Sequence, residues 1–139
     1  MKYLLDVNLL IAWGWADHAD HRRAAQWIGT MKADRSVDLM TSAIPELGFV
    51  QVSVQRVAGR LSITDATSTL NSMLKSLKAR HHFLPDDMSS TTPLPEWCKT
   101  ASQSTDAHLL ALAKSHDAEL ATLDAGIPGA FLIPLTQSA

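Results

Sequence analysis

Cysteine is almost absent from this chain: Cys98 stands alone among 139 residues. A lone thiol has no partner within the chain, which excludes an internal disulfide scaffold and fits a reducing cytosol. No such scaffold is needed, because a domain of this length buries roughly 68–70% of the surface its unfolded chain exposes. Long apolar runs are also missing. The N-terminal stretch KYLLDVNLLIAWGW is broken by Asp6 and Asn8 and has neither a basic leader nor a small-residue cleavage site. A membrane span would need about 18 apolar residues, so neither a span nor a signal peptide is expected. An excess of one charge is lacking too: 12 Lys and Arg against 14 Asp and Glu leave a net charge of −2. That disfavours a non-specific nucleic-acid coat but leaves room for an enzyme acting on nucleic acid. Repeats and low-complexity tracts are absent, and residues 1–139 are expected to form one domain.

What is present is an alternation of short apolar runs with helical periodicities. Tyr3-Leu4-Leu5 reads as a buried strand, Val7–Trp15 as a short helix, and His18–Ala33 as an amphipathic one. Val37–Met40 is a second strand. Thr41 and Ser42 supply capping hydroxyls to a helix with Pro45 in its first turn, carrying Leu47, Val50, Val54 and Val57 and ended by Gly59. Another helix runs from Thr64 through Leu70, Met73, Leu74 and Leu77 to the basic cluster at Arg80. A strand over His82–Leu84, the linker-like loop DDMSSTTPLPE, and a helix DAHLLALAKS capped by Ser104-Thr105 follow. The strands ELATLD and AFLIPL close the chain. Strands alternating with helices predict an α/β fold with a parallel sheet covered on both faces, whose ligands bind beyond the carboxyl ends of the strands.

That rule sorts the 14 acidic residues. Most flank helices or lie in the loop, where solvent reaches them. Asp6 and Asp124 end strands, Glu46 lies in the first turn of a helix, and Asp106 opens another. All four positions point to one edge of the sheet. Carboxylates gathered there raise one another's pKa and resist desolvation. An all-oxygen donor set without Cys or His suits a hard ion such as Mg²⁺ or Mn²⁺, and such a site is equipped for phosphodiester hydrolysis. Asn8 and Thr122, close by in sequence, could orient the ligands or the attacking water. Asp106 and Glu46 can equally be read as first-turn residues favourable to the helix dipole by about 0.3–1 kcal/mol.

Four segments, LLDVNLLIAW, TSAIPELGFVQV, TDAHLLALA and ATLDAGI, resemble PIN-domain ribonucleases, in particular the VapC toxins of VapBC toxin–antitoxin pairs, over nearly the whole chain. The resemblance implies a doubly wound α/β/α domain with parallel strand order 3-2-1-4-5. It implies a Mg²⁺- or Mn²⁺-dependent endoribonuclease whose acidic cluster maps onto Asp6, Glu46, Asp106 and Asp124, with Asn8 and Thr122 on the family's accompanying polar positions. The principal metal ligands would be Asp6, Asp106 and Asp124, with Glu46 holding a water or a second ion. It further implies a cytoplasmic homodimer silenced by a small antitoxin that pushes a basic side chain into the cleft. Structured RNA such as tRNA would be the substrate, and DNA would be bound only through the antitoxin.

Alternatives remain at this point. A Mg²⁺-dependent phosphoryl-transfer or receiver-like domain also carries strand-end acids, but DVN lacks the second Asp, and no strand-end Lys is found. A catalytically silent interaction module would keep the fold without the chemistry. His18 and His21, His108, the His81-His82 pair and Arg22-Arg23 read mainly as solvated residues. Trp13 and Trp27 read as core, whereas Trp15 and Trp97 could serve an interface. Cys98 reads as structural.

Overall fold

The computed structural model describes residues 1–57 and 59–136. Five parallel strands form the sheet: β1 (Lys2–Leu5), β2 (Asp38–Thr41), β3 (His81–Phe83), β4 (Glu119–Thr122) and β5 (Phe131–Leu132). Their spatial order is β3-β2-β1-β4-β5, the order implied by the resemblance. Tyr3 and Leu5 belong to one core cluster and Leu4 to the other. This alternation follows from the two-residue period of a strand and makes β1 the buried centre of the sheet.

On the face of Tyr3 and Leu5 lie α1 (Val7–Gly14), α2 (His21–Lys32), α3 (Ala43–Arg56) and α4 (Ile63–Ser76). Helix α1 is mostly apolar because it is wedged between the sheet and its neighbours, with Leu9, Leu10, Ile11 and Ala12 all buried. Helix α3 approaches α1 closely at Gly48, where a Cβ would meet Val7 Cγ2 at 2.7 Å. The buried stripe of α3 is Pro45, Phe49 and Ser53, spaced four apart. Of the apolar residues expected on this helix, Val50 packs partly buried on the core, whereas Leu47 is 58% exposed. Helix α4 starts from Ser62, whose hydroxyl accepts from the Asp65 amide in a reciprocal capping box. It gives way at Lys78–Arg80 to a 3₁₀ turn that leads into β3.

The opposite face is covered by α5 (Ala101–Ser115) and the segment before it. The linker-like reading of residues 86–96 holds for most of the segment, which is largely exposed. Although it lacks regular structure, the polypeptide between β3 and α5 places Leu84, Met88 and Trp97 against Leu109, Leu112 and Leu120, and so supplies part of the core. Helix α5 begins earlier than the Ser104-Thr105 cap predicts. Thr100 is the cap, its hydroxyl accepting from the Gln103 amide while Gln103 reaches back. Two overlapping sets of hydroxyl residues offer cap signals in TASQST, and the upstream one forms the capping box. Helix α2 starts at His21 rather than His18, because Trp15–His21 is taken up by two successive turns. No helix of the described residues is long and apolar enough to cross a membrane.

Candidate active site

Asp6 leaves β1 and becomes the N-cap of α1, where its Oδ1 accepts from the Val7 amide at 2.8 Å. It is only 4% exposed. Its Oδ2 accepts from the Thr122 hydroxyl at 2.8 Å, across the β1–β4 pair. Thr122 is wholly buried and serves as a hub. Its oxygen also accepts from Asn8 Nδ2 at 3.1 Å and from the Asp124 amide at 3.1 Å. Asn8 Oδ1 in turn accepts the Leu123 amide at 3.1 Å. Asn8 and Thr122 are thus both hydrogen-bonded into the segments that carry Asp6 and Asp124.

Asp124 lies two residues beyond β4, in a tight turn where its Oδ1 accepts the Gly126 amide at 2.8 Å. Asp106 comes from α5. Because that helix starts at Ala101, Asp106 lies in the second turn, and the first turn holds no acidic residue. Its expected place at the start of the helix is corrected, and the capping explanation for it falls away. Burial, then Asp6 and Asp124, push the Asp106 carboxyl up to about 6. Burial also raises the Asp6 carboxyl, with Asp124 adding to the rise; the bonds from Thr122 and Val7 oppose it. Three aspartates from β1, α5 and the segment after β4 therefore sense one another's charge at the carboxyl edge of the sheet. Among the described residues no three Asp, Glu, His or Cys side chains are grouped closely enough to hold one ion as they stand.

Among the described residues Glu46 makes no hydrogen bond to these three aspartates; its partner is Thr41. Glu46 does occupy the first turn of α3, where the dipole favours it. Its Oε2 accepts from the Thr41 hydroxyl at 2.6 Å, and that hydroxyl also contacts His81 Nε2 at 2.7 Å. Thr41 is thus the last residue of β2 with its hydroxyl committed to Glu46 and His81, and no cap to α3. Ser42 Oγ is buried in the same turn without a hydrogen-bond partner among the described residues.

Sequence reasoning missed three groups near the site. His108 is not a solvated histidine: its Nε2 contacts Asp86 Oδ2 at 2.6 Å, with the two side chains only 14% and 10% exposed. Asp86, read as a loop acid, is the other half of that pair. His81, read as part of a basic patch, turns inward to Thr41. Only the sheet register, which pairs Leu39 with His81 and so sets His81 and Thr41 on one face, reveals that contact. The remaining candidates are structural. His21 Nδ1 lies 2.8 Å from the Ala12 carbonyl and His18 Nδ1 accepts the Asp20 amide, so the two histidines serve the backbone. Arg23 donates to the carbonyls of Ile133 and Pro134. Trp15 donates to Ser53 Oγ at 2.8 Å and stacks on Phe49, and Trp97 packs on the α5 core, so both face inward.

Fold and site together define an α/β protein with a five-stranded parallel sheet and three aspartates that sense one another's charge. A family model described as PIN domain matches residues 3–129. Three curated relatives from Mycobacterium tuberculosis are similar along most of their length. Ribonuclease VapC38 (strain ATCC 25618 / H37Rv) is 36% identical over 89% of this chain and 86% of its own. Ribonuclease VapC29 (the same strain) is 34% identical over 98% and 99%, and Ribonuclease VapC39 (strain CDC 1551 / Oshkosh) is 32% identical over 91% of each. The chain belongs to the PIN-domain family, among its VapC ribonucleases.

Proposed function

We propose that this chain is the endoribonuclease toxin of a type II toxin–antitoxin pair, hydrolysing phosphodiester bonds in RNA with the help of Mg²⁺ or Mn²⁺. The observation that carries the reading is the convergence of Asp6, Asp106 and Asp124 at one edge, with Asp106 raised to about 6 by burial and its two neighbours. The all-oxygen donor set and its uncompensated charge fit a hard divalent cation. Asp6, Asp106 and Asp124 would hold the ion. When bound, it supplies charge neutralisation, Lewis acidity toward a phosphodiester oxygen, and a lowered pKa for water. The protein's own residues supply orientation. Thr122 and the Val7 amide hold the two Asp6 oxygens, Asn8 holds Thr122 and the Leu123 amide, and Glu46 would hold a water or a second ion. Structured RNA such as tRNA is the proposed substrate class, with 5′-phosphate and 3′-hydroxyl products.

The proposed partners are a small antitoxin and a second copy of this chain, in the cytoplasm; DNA would be met only through the antitoxin. Exposed Ile44, Leu47 and Leu94 support a protein-covered surface. Family membership sets aside the receiver-like alternative. The test is incubation of the purified chain with total RNA, with Mn²⁺ or with EDTA. Cleavage should require the ion, and Asp6→Ala or Asp106→Ala should reduce it at least about 100-fold while the fold is retained. Full activity in either variant would overturn the site assignment.

A further inference from the structure

The Thr41 hydroxyl stands between Glu46 Oε2, at 2.6 Å, and His81 Nε2, at 2.7 Å. A hydroxyl has one proton to give. An ionised carboxylate can only accept, so that proton belongs to Glu46, and Nε2 must be the donor toward Thr41. The opposite polarity would need His81 to accept and Glu46 to bring a proton of its own. Burial, helped by neighbouring His82 and opposed by Glu46, holds His81 below its ordinary range. The ring is therefore neutral at neutral pH, with its proton on the nitrogen that faces Thr41. Among the described residues the Thr41 hydroxyl is the only group that hydrogen-bonds the Glu46 carboxylate, which leaves Oε1 uncommitted.

We infer that His81 is a positioning residue for Glu46, acting through the Thr41 hydroxyl to fix Oε2 and leave Oε1 free to accept. This rests on the reading of Glu46 as a carboxylate that holds a water or an ion. The chemistry asks for such a device. Glutamate is long and rotatable, Glu46 lies in the first turn of a helix, and among the described residues no hydrogen bond ties it to the Asp6, Thr122 and Asn8 network. A fully buried threonine carried by the sheet, itself oriented by a histidine from the next strand, converts it into a fixed acceptor. The arrangement parallels that of carboxylates around a reactive centre whose outer hydrogen bonds set their orientation.

The test combines a spectroscopic and a kinetic readout on the full chain. Long-range ¹H–¹⁵N correlation spectra at neutral pH should show His81 protonated on Nε2, with the Nε2 resonance shifted in Thr41→Val. Thr41→Val and His81→Ala should each lower kcat on RNA by roughly 10- to 100-fold with KM near wild type, and Thr41→Ser should restore most of the rate. Adding His81→Ala to Glu46→Ala should cost nothing further, since a residue that acts through Glu46 has nothing left to position. Protonation on Nδ1, a wild-type kcat in folded Thr41→Val, or additive losses in the double variant would overturn the proposal. If the wild-type chain cleaves no RNA, the ribonuclease reading fails, while the tautomer and its response to Thr41→Val still decide the relay.

Discussion

Asp106 is the residue at which folding and chemistry oppose each other most directly. Its carboxyl is raised from an ordinary 3.8 to about 6, first by burial and then by Asp6 and Asp124. A raised folded-state value means that the native protein holds this proton more tightly than the unfolded chain. The stability linked to it is fully present below about pH 4 and is lost as pH rises through about 6. At neutral pH the ionised group therefore weighs against the fold. Asp106→Asn, which removes the charge and keeps the shape, should melt higher than wild type at pH 7.5 in EDTA. The difference should vanish below pH 4, as scanning calorimetry would show. The same variant should be inactive on RNA, as is usual for a site that trades stability for function.

At the scale of elements, the segment between β3 and α5 is the part whose role changes most once the structure is known. It has no regular structure, yet Asp86 and His108 tie it to α5 at 2.6 Å, and Leu84 and Met88 fill the core beneath. Helix α5 also carries Asp106, two residues before His108, so the tie helps to set the helix that delivers a proposed metal ligand. Removing one partner leaves the other in a nearly closed environment without its bond. Asp86→Ala should destabilise the protein by about 1–3 kcal/mol in urea unfolding. His108→Ala should add little to it in a double-mutant cycle.

For the whole molecule, the sheet order is what makes a site. Asp6, Asp106 and Asp124 are separated by up to most of the chain, and the β1–β4 pairing brings the first and last together through Thr122. A divalent ion that binds only this assembled edge must stabilise the native state by mass action. At about one hundred times its dissociation constant, Mn²⁺ should add about 2.7 kcal/mol of stability. The gain should disappear in Asp6→Ala. An equal shift in that variant would place the ion elsewhere.

Local sequence by itself determined the elements and the acids they present. A three-residue apolar strand must be buried, Asp6 must emerge at its end, and ELAT must deliver Thr122 beside Asp124. These are consequences of period-two strands and of polar residues that interrupt them. The strand order was legible only through family resemblance, because β pairing joins residues far apart in the chain and leaves no local signature. For the same reason tertiary structure alone decided that Thr41 bonds Glu46 and meets His81, and that Asp86 finds His108. It also decided between the competing hydroxyl caps of α5, moving Asp106 from the helix end into its second turn. A cap is worth about 1 kcal/mol, too little to settle a boundary until packing against the sheet fixes where the helix begins.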